Sequence, residues 1–303
     1  MNRTQKLLPY ALVVPGIALL CVLMFYPFLR NVAYGFTNYK LANPDFSYVG
    51  FANYVEAVSS KEFIQTLLTT LLWVSLNLVY MVLLGTLAAM LMNSRQIKGV
   101  FLLELVLLLP WVLPEAVTGY TWKLLLNYKS GIYYKMLLSL SIIPEKYDIF
   151  AHATSAMLAC VSANVWRSFP LVALTTLAKL RTLPTEQVEA GVLDGVNRRQ
   201  LFFHIELPHI RPVLLSVGTL CFIWTFNAFG IISVMTNGGP AKATQVVSVL
   251  MQKAAFQFFD YSMASTYAML ILLILVTVVL VLNALPALLS RAVSGGREKR
   301  HVL

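Results

Sequence analysis

The chain has 303 residues, of which 58% are hydrophobic and 12% charged, with a mean hydropathy of +0.73. So little polar surface cannot cover a water-soluble globule, which excludes the soluble fold classes. The net charge of +10 would suggest nucleic acid in a soluble protein; here it points to Lys and Arg placed beside a lipid membrane, with no nucleic-acid partner.

About twenty apolar residues in a helix cross a bilayer, and six stretches qualify: 11–33, 64–92, 99–123, 151–178, 210–235 and 263–289. The first follows Arg3 and Lys6 but holds Pro15 and Pro27 and ends without a small-residue cleavage site, so it reads as a retained helix. Residues 34–62 contain a turn, Asn43-Pro44-Asp45, then an aromatic, amphipathic piece, Val49-Gly50-Phe51-Ala52-Asn53-Tyr54. The second span carries Asn77 and Tyr80. The third carries Glu104, Glu115, Tyr120 and Trp122, and its Pro110 and Pro114 predict a kink that frees backbone groups for neighbours to satisfy. Asn164 and Arg167 lie in the fourth span, and Trp224, Thr225 and Asn227 in the fifth. Residues 236–262 read as a loop opening on a tight turn, Thr236-Asn237-Gly238-Gly239-Pro240. The expected fold is all-α and integral to the membrane, with six transmembrane helices. Three segments follow: 1–63 with the first span and an outer loop, a five-span core at 64–290, and a basic tail at 291–303.

Per residue of loop, Lys and Arg are denser on the side that receives Arg3, Lys6, Arg95, Lys98, Lys179, Arg181, Arg198, Arg199, Arg211, Arg291, Arg297, Lys299 and Arg300 than on the side whose longer loops receive Arg30, Lys40, Lys61, Lys123, Lys129, Lys135, Lys146, Lys242 and Lys253. Both termini and the polar insert between spans four and five are therefore expected in the cytoplasm. The other loops are read either as a platform for an extracytoplasmic partner or as connectors on the headgroups.

Catalytic signatures are missing. There is no GxxxxGK[ST] loop, HExxH or GxSxG, and His152, His204, His209 and His301 are scattered. Cys21, Cys160 and Cys221 each sit in an apolar run without a CxxC, which fits small core residues and no metal or disulfide. Glu104 and Glu115 stand about three turns apart on one expected helix, too far to act on one bond. The energy for any transport must come from an ion gradient or a partner. The readings left open are a transport subunit, a self-sufficient ion-coupled secondary carrier and, less supported, a membrane enzyme; no inverted repeat supports the carrier.

The insert carries Glu189-Ala190-Gly191, three residues, Gly195, nine residues, then Ile205-Glu206-Leu207-Pro208. Its glycine and proline suggest two short helices joined by a turn and then stopped. This pattern resembles the EAA loop of ABC-importer permeases, EAA-x3-G-x9-I-x-L-P, departing at Gly191, where the family has a second Ala. That departure lowers local helix stability by about 1 kcal/mol and keeps a small residue. Pro9-Tyr10-Ala11, the Val49–Tyr54 segment, Trp166-Arg167-Ser168-Phe169-Pro170 and the 236–240 turn are similar to the carbohydrate-uptake branch, of the maltose-transporter and glycerol-phosphate-transporter type.

The resemblance implies a type I importer transmembrane domain in a bacterial-type plasma (inner) membrane. It implies two ATPase subunits, a second related permease, an extracytoplasmic solute-binding protein and a sugar-type solute. No cofactor would be held by this chain; ATP and Mg would sit in the ATPase subunits. The loop at 181–212 would dock on the ATPase through Glu189, Ala190, Gly191, Asp194, Gly195, Ile205, Leu207 and Pro208. Glu189 would make charge-assisted contacts, Gly195 the turn, and Ala190 and Gly191 a close approach to the partner. For the solute path the candidates are Asn227, Trp224, Arg167, Asn164 and Glu115, since polar groups inside spans face cavities or other helices. Asn227 leads, because it falls where the maltose type has an amide in its fifth span. Arg167 has three open roles: an ion pair with Glu115, solute contact, or snorkelling.

Overall fold

A computed structural model of the chain describes residues 3–43, 45–94, 97 and 99–298. The expectations placed on Pro44, Arg95, Lys98, Lys299, Arg300 and His301 lie outside these residues. Among the described residues the chain is helical, with only isolated β-bridges besides. It divides into two compact units, Met1–Ile64 with Leu250–Val278, and Gln65–Val249 with Val279–Leu303.

In the first unit, α1 (Arg3–Leu20) runs through a π-helical turn, Cys21–Phe25, into α2 (Tyr26–Tyr34). Pro27 accounts for the wide turn: it has no N–H to give and its ring displaces the carbonyl four residues back. The turn instead closes with Tyr26 N donating to Cys21 O. Leu12–Tyr34 is long and apolar enough to span, and none of it is buried. The following segment folds back on itself around Asn53. That buried side chain at the start of α3 (Ala52–Ser59) donates from Nδ2 to Gly35 O at 3.0 Å and Thr37 O at 2.7 Å. Ser265 Oγ donates to Asn31 Oδ1 at 2.8 Å, and Lys40 pairs with Asp260 at 2.7 Å. The hydrogen bond and charge of Asp260 raise the Lys40 pKa above its ordinary 10.5. The ammonium thus stays charged through neutral pH, and the pair's contribution is lost only as pH climbs past that raised value.

In the second unit the central element is α8 (Ala153–Leu180), with 14 buried residues among its 28. Polar side chains on it therefore need partners or a cavity. It packs on α11 (Leu207–Asn227) and α5 (Val100–Val112). A core of Ala89, Met92, Ala173, Leu177, Leu180 and Ile210 joins α8 to α11 and to α4 (Lys61–Met92).

The third span is more than kinked. α5 and α6 (Glu115–Leu125) meet at 97°. Pro110 is carried inside α5, while the break falls at Leu113, which is extended (φ −67°, ψ 135°) ahead of Pro114. A residue before proline is pushed out of the α region, and Pro114 then starts the next helix. Glu104 and Glu115 consequently lie on different helices, not three turns apart on one. The short α7 (Ile132–Ser139) follows and leads toward α8. The fifth span also differs from the expected 210–235. It begins at Arg198, passes a second π turn at Phe202–Glu206, and ends at Asn227. Pro208 follows that π turn as Pro27 follows the first, so it sits in the first turn of α11 and does not stop the helix. Ala228 is extended (φ −60°, ψ 126°), and the short α12 (Gly230–Met235) follows. Within 236–262, expected as loop, α13 (Val247–Phe256) forms a helix too short to span. The last helix, α14 (Tyr261–Glu298), provides a candidate span at Tyr261–Val281. Among the described residues five helices can span, or six when the bent α5–α6 pair counts as one.

Candidate functional site: a polar cavity and a helical insert

The breaks in the third and fifth spans leave backbone groups without helical partners, and polar side chains from neighbouring helices satisfy them. Arg167 Nε donates to Leu113 O at 2.9 Å. Gly230 N, at the start of α12, donates to Glu115 Oε2 at 2.9 Å. Trp73, fully buried on α4, donates from Nε1 to Thr225 O at 3.0 Å, and Ser248 Oγ donates to Ala228 O at 2.7 Å. An amide ladder extends the network: Asn164 Nδ2 donates to Asn77 Oδ1 and Asn77 Nδ2 to Trp73 O, both at 2.8 Å. In a low-dielectric interior each such bond spares an orphaned polar group.

Arg167, Glu115, Thr225, Ala228 and Asn164 from this network line a cavity of about 400 Å³. Asn164, Arg167, Glu115, Trp224 and Asn227, which the sequence offered from three separate stretches, all line it. Asn164 is buried, Arg167 and Glu115 are half-buried, and Trp224 and Asn227 are exposed. Arg167 and Glu115 do not pair with each other; each holds a backbone group, which removes the ion-pair role. Asn227 Nδ2 donates to Ile223 O one turn back. Met81, Trp111 and Cys221 add apolar wall that the sequence did not mark, since an apolar residue in a span carries no sign of which way it faces.

The 181–212 insert is tied to α5 by one ion pair and braced within itself by another and by capping. Arg181 pairs with Glu104 at 2.7 Å, Arg198 with the buried Glu206 at 2.8 Å, and His209 Nε2 lies 3.1 Å from Lys179 O. Helix α9 (Thr185–Leu193) ends in a full Schellman pattern: Val196 N donates to Gly191 O and Gly195 N to Val192 O, both at 3.0 Å. Gly195 takes φ +79°, the left-handed conformation this cap requires. Helix α10 (Arg198–Leu201) opens on a capping box between Asn197 and Gln200. That N-x-x-Q signature stands in the sequence and could have located the helix start.

The insert has an inner and an outer face. Gly191 is buried, and a Cβ there would lie 3.0 Å from Ile205 Cδ1. Its small size therefore serves packing inside the insert, a correction to its expected place against a partner. Leu201 is also buried, and Ile205 and Leu207 are half-buried or less exposed than the outer face. Glu189, Ala190, Asp194 and Gly195 lie on the outer side of the insert. So do Val192 (61%) and Leu193 (87%), an apolar exposed pair in a polar insert that the motif alone does not single out.

The family model for "binding-protein-dependent transport system inner membrane component" matches residues 81–295. The trehalose/maltose transport system permease protein MalF of Thermococcus litoralis is 30% identical over 278 residues, 89% of this chain and 92% of that protein. The diacetylchitobiose uptake system permease protein DasB of Streptomyces coelicolor is 28% identical over 280 residues, 90% of this chain and 85% of its own length. In fold, the chain is similar to a protein in the crystal structure of a bacterial ABC transporter involved in alginate import. The TM-score is 0.80 at 19% identity, covering 93% of this chain and 96% of that one. With a model matched over most of its length and a permease relative at 30% identity, this chain belongs to the family of binding-protein-dependent transport system inner membrane components.

Proposed function

We propose that this permease passes a sugar-type solute along the cavity at the broken spans, driven by ATP hydrolysis in partner subunits. The cavity carries the reading. Two amides, two charged groups and the half-exposed face of Trp224 converge on it, the chemistry that holds hydroxyls and stacks on sugar rings. The relatives named for trehalose/maltose and diacetylchitobiose support the solute class. Two ATPase subunits, which hold the ATP and Mg, a second related permease and an extracytoplasmic binding protein complete the assembly. The chain itself binds no cofactor and hydrolyses nothing. Both termini and the insert face the cytoplasm, where Glu189, Ala190, Asp194, Gly195 and the exposed Pro208 meet the ATPase, with the half-buried Ile205 and Leu207 beside them and Gly191 packed inside the insert.

Uptake of radiolabelled maltose into cells carrying the full assembly tests the path. Asn227→Ala and Trp224→Ala each lower uptake about fivefold to tenfold, the loss expected from one hydrogen bond or one stacking face. ATPase co-purification stays unchanged. Undiminished uptake in both variants counts against the cavity as the path.

A further inference from the structure

Two opposite charges share the cavity without meeting. Arg167 uses Nε on Leu113 O, and Glu115 uses Oε2 on Gly230 N. Among the described residues, Arg167 Nη1 and Nη2 and Glu115 Oε1 have no further hydrogen bond, and the two groups form no ion pair, although both line the same space. A charge within a spanning region that lacks a counter-charge is costly, and such charges face the paths that solutes take. The backbone bonds explain why the side chains are fixed; a neutral amide would serve equally well for that. They leave the formal charges unexplained.

We propose that Arg167 and Glu115 are a two-sign clamp for a neutral vicinal diol on the transported solute. One hydroxyl donates to Glu115 Oε1, and the oxygen of its neighbour accepts from an Arg167 Nη. A diol satisfies both groups because each hydroxyl both donates and accepts. An anionic solute meets Glu115 and a cationic one meets Arg167, so the same pair rejects either. A zwitterion would also match both signs. The face of Trp224 and the amide of Asn227 beside the clamp suit ring faces and hydroxyls and so favour the diol. The clamp rests on the reading of this cavity as a sugar path.

Equilibrium binding of radiolabelled probes to the permease–ATPase complex in lipid nanodiscs, without the binding protein, tests the clamp. The probes are maltose, anionic maltobionate, cationic glucosamine disaccharide and zwitterionic glycine betaine. The unaltered complex binds maltose at least about tenfold more tightly than the other three, since like-charge juxtaposition is strongly unfavourable. Glu115→Gln keeps an acceptor for Gly230 N and shifts the maltobionate-to-maltose ratio up about tenfold. Arg167→Gln shifts the glucosamine ratio likewise, while Arg167→Lys keeps the original ratios. Parallel weakening of all probes in both Gln variants overturns the clamp and leaves the residues as struts. Tighter binding of betaine than of maltose overturns the diol. If no saccharide binds the unaltered complex, the sugar reading of the cavity fails, and the clamp with it.

Discussion

Gly230 shows how closely Glu115, a residue of the cavity wall, is packed from behind. A Cβ at this position would lie 2.7 Å from Glu115 Cβ and 2.9 Å from Glu115 Oε2. Gly230→Ala must therefore push Glu115 off the N–H it holds, and overpacking of this kind costs about 1–3 kcal/mol. Thermal denaturation of the purified protein should show the loss, with Ala228→Gly, beside it, as a milder comparison. An unchanged midpoint in Gly230→Ala would mean that Glu115 is not fixed as described. At this scale the sequence marked the polar members of the site, because a charged or amide side chain inside an apolar run stands out. It did not show what they touch. Pairing with Glu115 was one of three roles open to Arg167, and the bent span supplies a carbonyl at Leu113 that takes its Nε instead.

At the scale of elements, proline explains what was legible and what was not. Pro114 foretold a disturbance, and the size of the bend follows from Leu113 being extended just before it. Pro208 suggested a stop, but its place after a π turn lets the helix run on to Asn227. The break at Ala228 falls between Asn227 and Gly230, but the long apolar run on either side carried the expected span through to 235; Trp73, Ser248 and Glu115 hold the break from other helices. The insert was the most legible element, because glycine at a Schellman cap is a local requirement. Gly195 has open space around its missing Cβ, so a substitution there acts through the backbone and the added charge alone. Gly195→Asp places a non-glycine residue at φ +79°, a strain of roughly 1–2 kcal/mol confined to the turn. Membrane insertion should be intact, while ATPase co-purification falls or ATP hydrolysis runs without uptake. Normal transport with normal ATPase recovery would remove the insert from the coupling path.

For the whole molecule, low charge and long apolar runs were enough to give a helical membrane protein, and its fold is that of a type I importer permease. The folded segment around Asn53 and the helix α13 were invisible to hydropathy, which registers only stretches long enough to span. In the proposed function the insert receives energy and the cavity offers a route, so that the two would act in a single transport cycle. The most direct test reconstitutes the chain in proteoliposomes and follows labelled maltose, first alone under a proton or sodium gradient and then with its second permease, ATPase and binding protein. Uptake that requires the partners and ATP, and is absent from the chain alone under either gradient, is the predicted result. Uptake by the chain alone, driven by a gradient, would contradict the account.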